Sequence, residues 1–333
     1  MVEKTAFPSV LGVGNALVDI IALLDDKTVL EKFDLPPGSM TLVDAALSDK
    51  IYKAVQSEKK EVSTGGSVAN SMRTFAALGG NGGYIGKIGD DKLGKLFKEA
   101  FEKKGITAHL AYSDQNTGTA ISLVTPDSER TMATCLGAAA ELRPEDFSVR
   151  DFSGYGYLFM EGYLVFNHEL ITAGVKVAKK AGLRVAIDLA SFNVVEANLD
   201  FLKKLIKEDI DIVFANEEEA WSFTGKKPWD ALHEISEMCE LAIVKVGKEG
   251  SLIKKGNEIV EIGVIPAKAI DTTGAGDSYA AGFLYGLTRG YPVKTCGEIA
   301  AFVSGKVVEV VGANLNDNQW TEIKKRIEEI VNS

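Results

Sequence analysis

Asp271-Thr272-Thr273-Gly274-Ala275-Gly276-Asp277-Ser278 sets two carboxylates around a pair of glycines. The segment follows Val264 to Ile270, which reads as the end of a strand, and precedes Tyr279 to Leu287, an apolar run of helical character. A glycine-rich turn that opens a helix offers unpaired backbone N–H groups and the positive end of the helix dipole. Small side chains let an anion come close to that backbone, and a phosphoryl group is the anion such a turn suits. Asp277 is then the puzzle, because a carboxylate repels an anion. It makes sense as a base that takes the proton of a substrate hydroxyl while the neighbouring N–H groups of Gly274, Ala275 and Gly276 hold the phosphoryl being transferred. A tight turn in which Asp277 merely caps the helix explains the same residues, so the segment alone leaves both open.

Other anion-binding motifs are absent. A Walker A loop needs GxxxxGK followed by Ser or Thr. The nearest candidate, Gly86-Lys87, is followed by Ile88 and has Asn81 where the first glycine belongs. A dinucleotide fingerprint fails twice, with Leu17 in the third glycine position after Gly12 and Gly14, and Tyr279 there after Gly274 and Gly276. Both failures argue against a dehydrogenase. The three cysteines, Cys135, Cys239 and Cys296, are far apart and odd in number, and the three histidines lack HExxH spacing. Neither a disulfide framework nor a zinc hydrolase is expected.

The elements that must position the turn are legible in outline. Ser9 to Val13, Tyr157 to Met160, Val185 to Ile187, Ile212 to Phe214 and Ala242 to Val244 are short apolar runs, as strands covered on both faces of a parallel sheet should be. Helical spacing covers Ser67 to Leu78, Gly94 to Lys103, Glu169 to Lys180, Asp277 to Leu287, Val293 to Val311 and Thr321 to Val331. Strand and helix alternate, which predicts an α/β fold with helices on both faces of the sheet. Two regions break the rhythm. Ile20 to Val43 is irregular, and Tyr112 to Leu136 holds an alternating hairpin with its turn at Pro126-Asp127. Residues 20–43 and 112–136 are expected to form a small β-sheet lid over a cleft, with a flap or a dimer surface as the plainer reading.

Composition narrows the partners. Hydrophobic residues make up 46% and charged residues 25%, so a core of ordinary size is available. The net charge of -10 and the lack of a basic run make polymeric nucleic acid an improbable partner. The start, Met1-Val2-Glu3-Lys4, has no basic segment ahead of an apolar one, and no run of about 18 apolar residues occurs, so a cytoplasmic protein without a membrane partner is expected.

With these residues in place, the chain resembles the ribokinase-like (PfkB) carbohydrate and nucleoside kinases. Asp271 to Asp277 is similar to their DTxGAGD signature. Gly65-Gly66-Ser67-Val68-Ala69-Asn70 followed by Ala76 to Gly80 is similar to their first signature, and Gly12 to Asp19 to their first strand and substrate loop. The resemblance runs in order over nearly the whole chain. It implies one domain over residues 1–333, a ribokinase-like three-layer α/β/α sandwich with a mainly parallel central sheet and a small β-sheet lid. It implies transfer of phosphate from ATP to a primary alcohol with Asp277 as base and Gly274, Ala275 and Gly276 as anion hole. Asn15, Asp19, Gly65, Gly66 and Asn70 would line the acceptor site. Read without it, Asp19 also suits a turn, Gly65-Gly66 a loop, and Asn70 an exposed helix position.

The resemblance further implies that Asn216 and Glu219 lie near magnesium and phosphate, Glu219 reaching Mg²⁺ through water. The same pair has the spacing of a capping box. Lys245 and Gly247 would belong to the nucleotide loop, where other members carry uncharged residues at the lysine position. Asn314 would sit on the adenine side. Asp271 and Thr273 stand where some relatives bind a monovalent cation such as K⁺. A monomer or a homodimer through the lid is expected. For the acceptor, Gly14 to Asp19, Ser67 in place of the lysine usual in ribokinases, and the lid segment from Asp127 to Ala138 lean toward an adenosine-kinase-like member, with Met132 and Leu136 able to cover a flat base. A sugar kinase of ribokinase or fructokinase type is the alternative. A non-catalytic sugar or nucleoside sensor is the reading that an intact Asp277 opposes.

Overall fold

The computed structural model describes residues 9–127 and 129–332, and the Met1 to Lys4 segment lies outside them. Its larger sheet runs edge to edge as Glu258–Ile262, Ser251–Lys255, Leu241–Lys245, Ile212–Asn216, Arg184–Asp188, Tyr157–Glu161, Val10–Val13, Gly82–Gly89 and Thr107–Ser113. The seven strands from Leu241–Lys245 to Thr107–Ser113 are parallel. The other two are added as antiparallel hairpins. All five apolar runs read from the sequence are strands of this sheet; Ser9 to Val13 loses its first residue, and the other four are extended by a residue or two.

Successive side chains of a strand point to opposite faces, and here they split the core. Tyr157, Phe159, Ile212, Phe214, Leu241 and Ile243 join one apolar cluster, while Leu158, Met160, Val213, Ala215, Ala242 and Val244 join another. Helices cover both clusters, which makes the three-layer ribokinase-like sandwich. The Phe159 ring meets Phe214 edge-on at 5.8 Å, and Phe214 meets Phe283 edge-on at 5.8 Å. Phe283 belongs to the Ala275–Thr288 helix, so the helix behind the glycine-rich turn is anchored to the sheet by rings each worth about 1.5–3 kcal/mol of burial.

A second sheet has the order Met40–Leu42, Arg130–Gly137, Thr117–Val124, Leu17–Leu23, Lys59–Gly65. Val18, Ile20, Ala22, Ile121, Leu123 and Ala133 turn one face into the core. Asp19 projects from the other face, the one that Ser122 and Arg130 share through their hydrogen bonds. The Lys59–Gly65 strand lies outside both segments read as lid. Tyr112, read into the lid, lies in Thr107–Ser113 at the edge of the larger sheet.

Several local readings need correction. Ile20 to Val43 is not irregular at its start: Leu17–Leu23 is a regular strand between two neighbours. Asp19 interrupts its apolar run, and the adjacent buried Ile20 and Ile21 interrupt the alternation. Val264 to Ile270 is not a strand end. Pro266 interrupts it, Val264 and Ile270 are exposed, and the Ile270 and Asp271 N–H groups bond the Val308 carbonyl. The helix expected to reach Val311 stops at Val307, beside that contact. The helix expected from Asp277 begins at Ala275, and the closing helix begins at Asp317 behind an Asn316–Gln319 capping box.

Candidate active site

The polar residues of the larger sheet gather at one edge. Glu161, Asp188, Asn216 and Lys245 are each the last residue of a parallel strand, and Asn15 follows two residues after Val10–Val13. From Val10–Val13 the chain proceeds to Gly82–Gly89 on one side, and later returns through Tyr157–Glu161 on the other. A crevice beyond the carboxyl ends at such a reversal is where open α/β sheets bind ligands.

The glycine-rich turn enters from above. Gly274 has φ 73°, a left-handed conformation suited to glycine, and it forms the N-cap without any side-chain capping bond. Asp277 therefore does not cap its helix. Its carboxylate accepts from Ser67 Oγ at 2.8 Å and from Asn70 Nδ2 at 3.1 Å. Loss of water raises the Asp277 pKa from 3.8 to about 6, with the Asp188 charge adding to it and the two donors and Lys245 opposing. The N–H groups of Gly276 and Asp277 lie in the first helical turn, where no intrahelical acceptor exists. A Cβ on Gly276 would stand 3.2 Å from Lys245 Nζ, so the small residue leaves the ammonium beside that turn.

Lys245 Nζ bonds Asp188 Oδ2 at 2.9 Å, with both side chains largely buried. Burial alone would lower the Lys245 pKa, but Asp188 and Glu219 outweigh it and hold the ammonium charged. Glu219 Oε2 and Oε1 accept from Asn216 N at 2.8 Å and Asn216 Nδ2 at 2.7 Å, and Asn216 Oδ1 accepts from Glu219 N. The capping box is thus present, and it holds a carboxylate at the cleft. Burial and Asp188 push the Glu219 pKa up, against Lys245. Gly247, with φ 53°, turns the loop after Lys245.

Asp19 lies over the double glycine. A Cβ on Gly65 would stand 2.0 Å from Asp19 Oδ1, and one on Gly66 would stand 2.2 Å from the Asn15 carbonyl. The glycines make room for the protein's own Asn15 to Asp19 segment. Burial raises the Asp19 pKa to about 6 despite the Arg130 and Arg73 charges. Asn15 donates to Glu161 through Nδ2 at 2.6 Å and through its N–H at 3.3 Å. Glu161 is 2% exposed, and burial lifts its pKa to about 7.

Asp271 and Thr273 face a guanidinium. Arg130 Nη1 donates to Thr273 Oγ1 and stands 3.4 Å from Asp271 Oδ2. Asp271 also accepts from Thr273 N at 2.9 Å and from Gly312 N at 2.8 Å. Asn314 stands against Arg73, whose Nη2 donates to its Oδ1 at 2.8 Å, while Arg73 Nη1 bonds the Thr64 carbonyl at 2.6 Å and Asn70 Oδ1 at 3.3 Å.

Sequence reading missed Ser67, Arg73, Arg130, Glu161 and Asp188 as members of this cluster. Two of them carried a signal: Glu161 closes Tyr-Leu-Phe-Met-Glu and Asp188 closes Arg-Val-Ala-Ile-Asp. A charged residue ending an apolar parallel strand points at the carboxyl-end crevice. Among the described residues, no cluster of three or more His, Cys, Asp and Glu side chains could hold a metal by itself. No helix among them is long and apolar enough to cross a membrane.

Known proteins share this fold. The structure is similar to that of a probable sugar kinase from Rhizobium etli CFN 42, at TM-score 0.87 and 31% identity, covering 97% of this chain and 99% of that one. It is similar to the adenosine kinase of Sinorhizobium meliloti, at TM-score 0.86 and 32% identity, covering 96% and 100%. In sequence it is 28% identical over 305 residues to a ribokinase of Arabidopsis thaliana, covering 84% of this chain and 77% of the relative. A family model for pfkB family carbohydrate kinases matches residues 38–320. That span holds the double glycine, the polar strand ends and the glycine-rich turn, and the chain belongs to the pfkB carbohydrate kinase family.

Proposed function

We propose that this kinase transfers the γ-phosphoryl group of ATP to the primary hydroxyl of an adenosine-like nucleoside, with Asp277 as general base. The observation that carries the reading is the Asp277 carboxylate, turned away from its own helix cap and held by Ser67 and Asn70. Each of its oxygens keeps capacity for one more donor, so a substrate hydroxyl can bond there and give up its proton. A pKa near about 6 leaves the carboxylate ionised at neutral pH yet a stronger base than an exposed one. The first-turn N–H groups and the Lys245 ammonium supply the positive field for the phosphoryl oxygens.

Asp19 is suited to paired ribose hydroxyls, with Asn15, Gly65 and Gly66 shaping the pocket around it. Asn216 and Glu219 would hold Mg²⁺ through water. That fits the hard oxygen donors at the cleft and the small number of protein ligands this ion takes beside a nucleotide. When bound, Mg²⁺ neutralises phosphate charge. The nucleoside reading is supported by Ser67, a small neutral residue beside Asp277, and by the likeness to the Sinorhizobium meliloti adenosine kinase. A free sugar is the second reading, favoured by the likeness to the probable sugar kinase of Rhizobium etli. The test is ATP consumption by the purified protein with adenosine, inosine, ribose, fructose and fructose phosphates. Turnover with adenosine well above the sugars supports the proposal. Turnover with sugars alone selects the second reading, and none with any acceptor refutes both.

A further inference from the structure

Asp271 and Thr273 are the residues that the family pattern offers to a monovalent cation, and in this chain they are already engaged. The Arg130 guanidinium bonds Thr273 Oγ1 and faces Asp271 Oδ2 with a single nitrogen, Nη1. Its other two nitrogens are fixed on the neighbouring strand Thr117–Val124, Nε at 2.9 Å and Nη2 at 2.7 Å from Ser122 Oγ. The Asp271 carboxylate is further bonded by the Thr273 and Gly312 N–H groups. Both side chains of the ion pair are mostly shielded, at 18% and 17% exposure. A cation seated between the same two oxygens would lie within about 4 Å of the guanidinium. At a partly shielded site that repulsion weakens its binding by a factor on the order of a thousand.

We propose that Arg130 replaces the monovalent cation: the second sheet carries its own positive charge to the glycine-rich turn, and the enzyme works without K⁺. Arg130 lies at the start of Arg130–Gly137, and Asp271 lies in the loop leading into Gly274. The contact therefore ties the smaller sheet to the turn that opens the catalytic helix. A diffusible ion at this place would order the turn alone. A guanidinium orders it only while the second sheet is seated on the cleft, so assembly of the anion hole is linked to closure. The inference rests on the phosphoryl-transfer reading for its meaning but not for its test.

The test compares the full chain in KCl and in choline chloride at equal ionic strength, by thermal melting without substrate and by ATP turnover with the best acceptor. For the parent protein both readouts are expected to be the same in the two salts. Arg130→Ala is expected to lose turnover at least tenfold, to regain part of it in KCl or in a guanidinium salt at low millimolar concentration, and to melt at a higher temperature in KCl than in choline. A parent protein that melts several degrees higher or turns over several-fold faster in KCl overturns the proposal. So does an Arg130→Ala variant indifferent to KCl in melting. The parent comparison stands even if the variant does not fold, and the melting readout stands even if no acceptor has been found.

Discussion

If Asp277 is the general base as proposed, Ser67 is the residue through which it can be tuned without being removed. Its hydroxyl donates to Asp277 Oδ1 at 2.8 Å. It occupies the first position of the Ser67–Ala77 helix, behind Gly66, and makes no capping bond. Ser67→Ala removes one hydrogen bond to a charged group, worth about 1.5–3 kcal/mol. At about 1.4 kcal/mol per unit, the Asp277 pKa should climb from about 6 to ~7–8. At pH 7 the ionised fraction then falls about two- to tenfold, and kcat/KM should fall with it. Above pH 9 the deficit should close. The assay is the pH profile of kcat/KM for parent and variant, with Ser67→Thr as the control that keeps the hydroxyl. The parent's ascending limb should have its midpoint near about 6, the variant's one to two units higher. A variant profile lowered by one constant factor at every pH would refute the assignment of Ser67 as the group that sets this base.

Asp19→Ala should raise the acceptor KM about 10–100-fold and leave the ATP KM near the parent value; a change confined to the ATP KM would mean that Asp19 serves the other substrate. Asp277 is also a stability liability. Its folded pKa of about 6 exceeds the ordinary 3.8, so its favourable contribution is complete below about pH 4 and is lost as pH rises through about 6. Asp277→Asn should therefore be more stable than the parent at pH 8, by ~1–3 kcal/mol in urea unfolding, with the gap closing near pH 4. Equal stability at pH 8 would contradict a strained carboxylate. Lys245→Met leaves the buried Asp188 carboxylate without its partner at 2.9 Å and should cost ~3–5 kcal/mol. Adding Asp188→Asn should recover much of that loss in the same unfolding assay; strict additivity of the two changes would show that the pair is not coupled.

What the sequence discloses and what it hides follow from the length scale of each interaction. The five buried strands and most helices could be read because apolar runs and helical spacing are local signals. Leu17–Leu23 could not, since Asp19 breaks its apolar run and the adjacent buried Ile20 and Ile21 break its alternation. The irregular path from Gly263 to Thr273 was likewise hidden, because what replaces a ladder there is a bond to Val308, far along the chain. At the site, the glycines and Asp277 were visible as a motif. Ser67 and Asn70 reach Asp277 across more than 200 positions, and nothing near any of the three announces that contact. Arg130 lies within the segment from Asp127 to Ala138, yet its partners Asp271 and Thr273 are assigned to it only by the way the second sheet sits on the first. The polar strand ends were hidden for a different reason. Glu161 and Asp188 read as the last residue of an apolar run, and their meaning appears only when the parallel strands align them in a row.

The most direct test of the central claim is single-turnover phosphoryl transfer by Asp277→Asn, measured beside calorimetric binding of ATP and of the acceptor. The amide keeps the shape of the carboxylate and can still accept from Asn70, while the Ser67 hydroxyl is free to rotate. Binding of both substrates should stay within a few-fold of the parent, and the transfer rate should fall ~10²–10⁴-fold. Transfer at near-parental rate, or loss of acceptor binding in step with the loss of rate, would contradict Asp277 as the base.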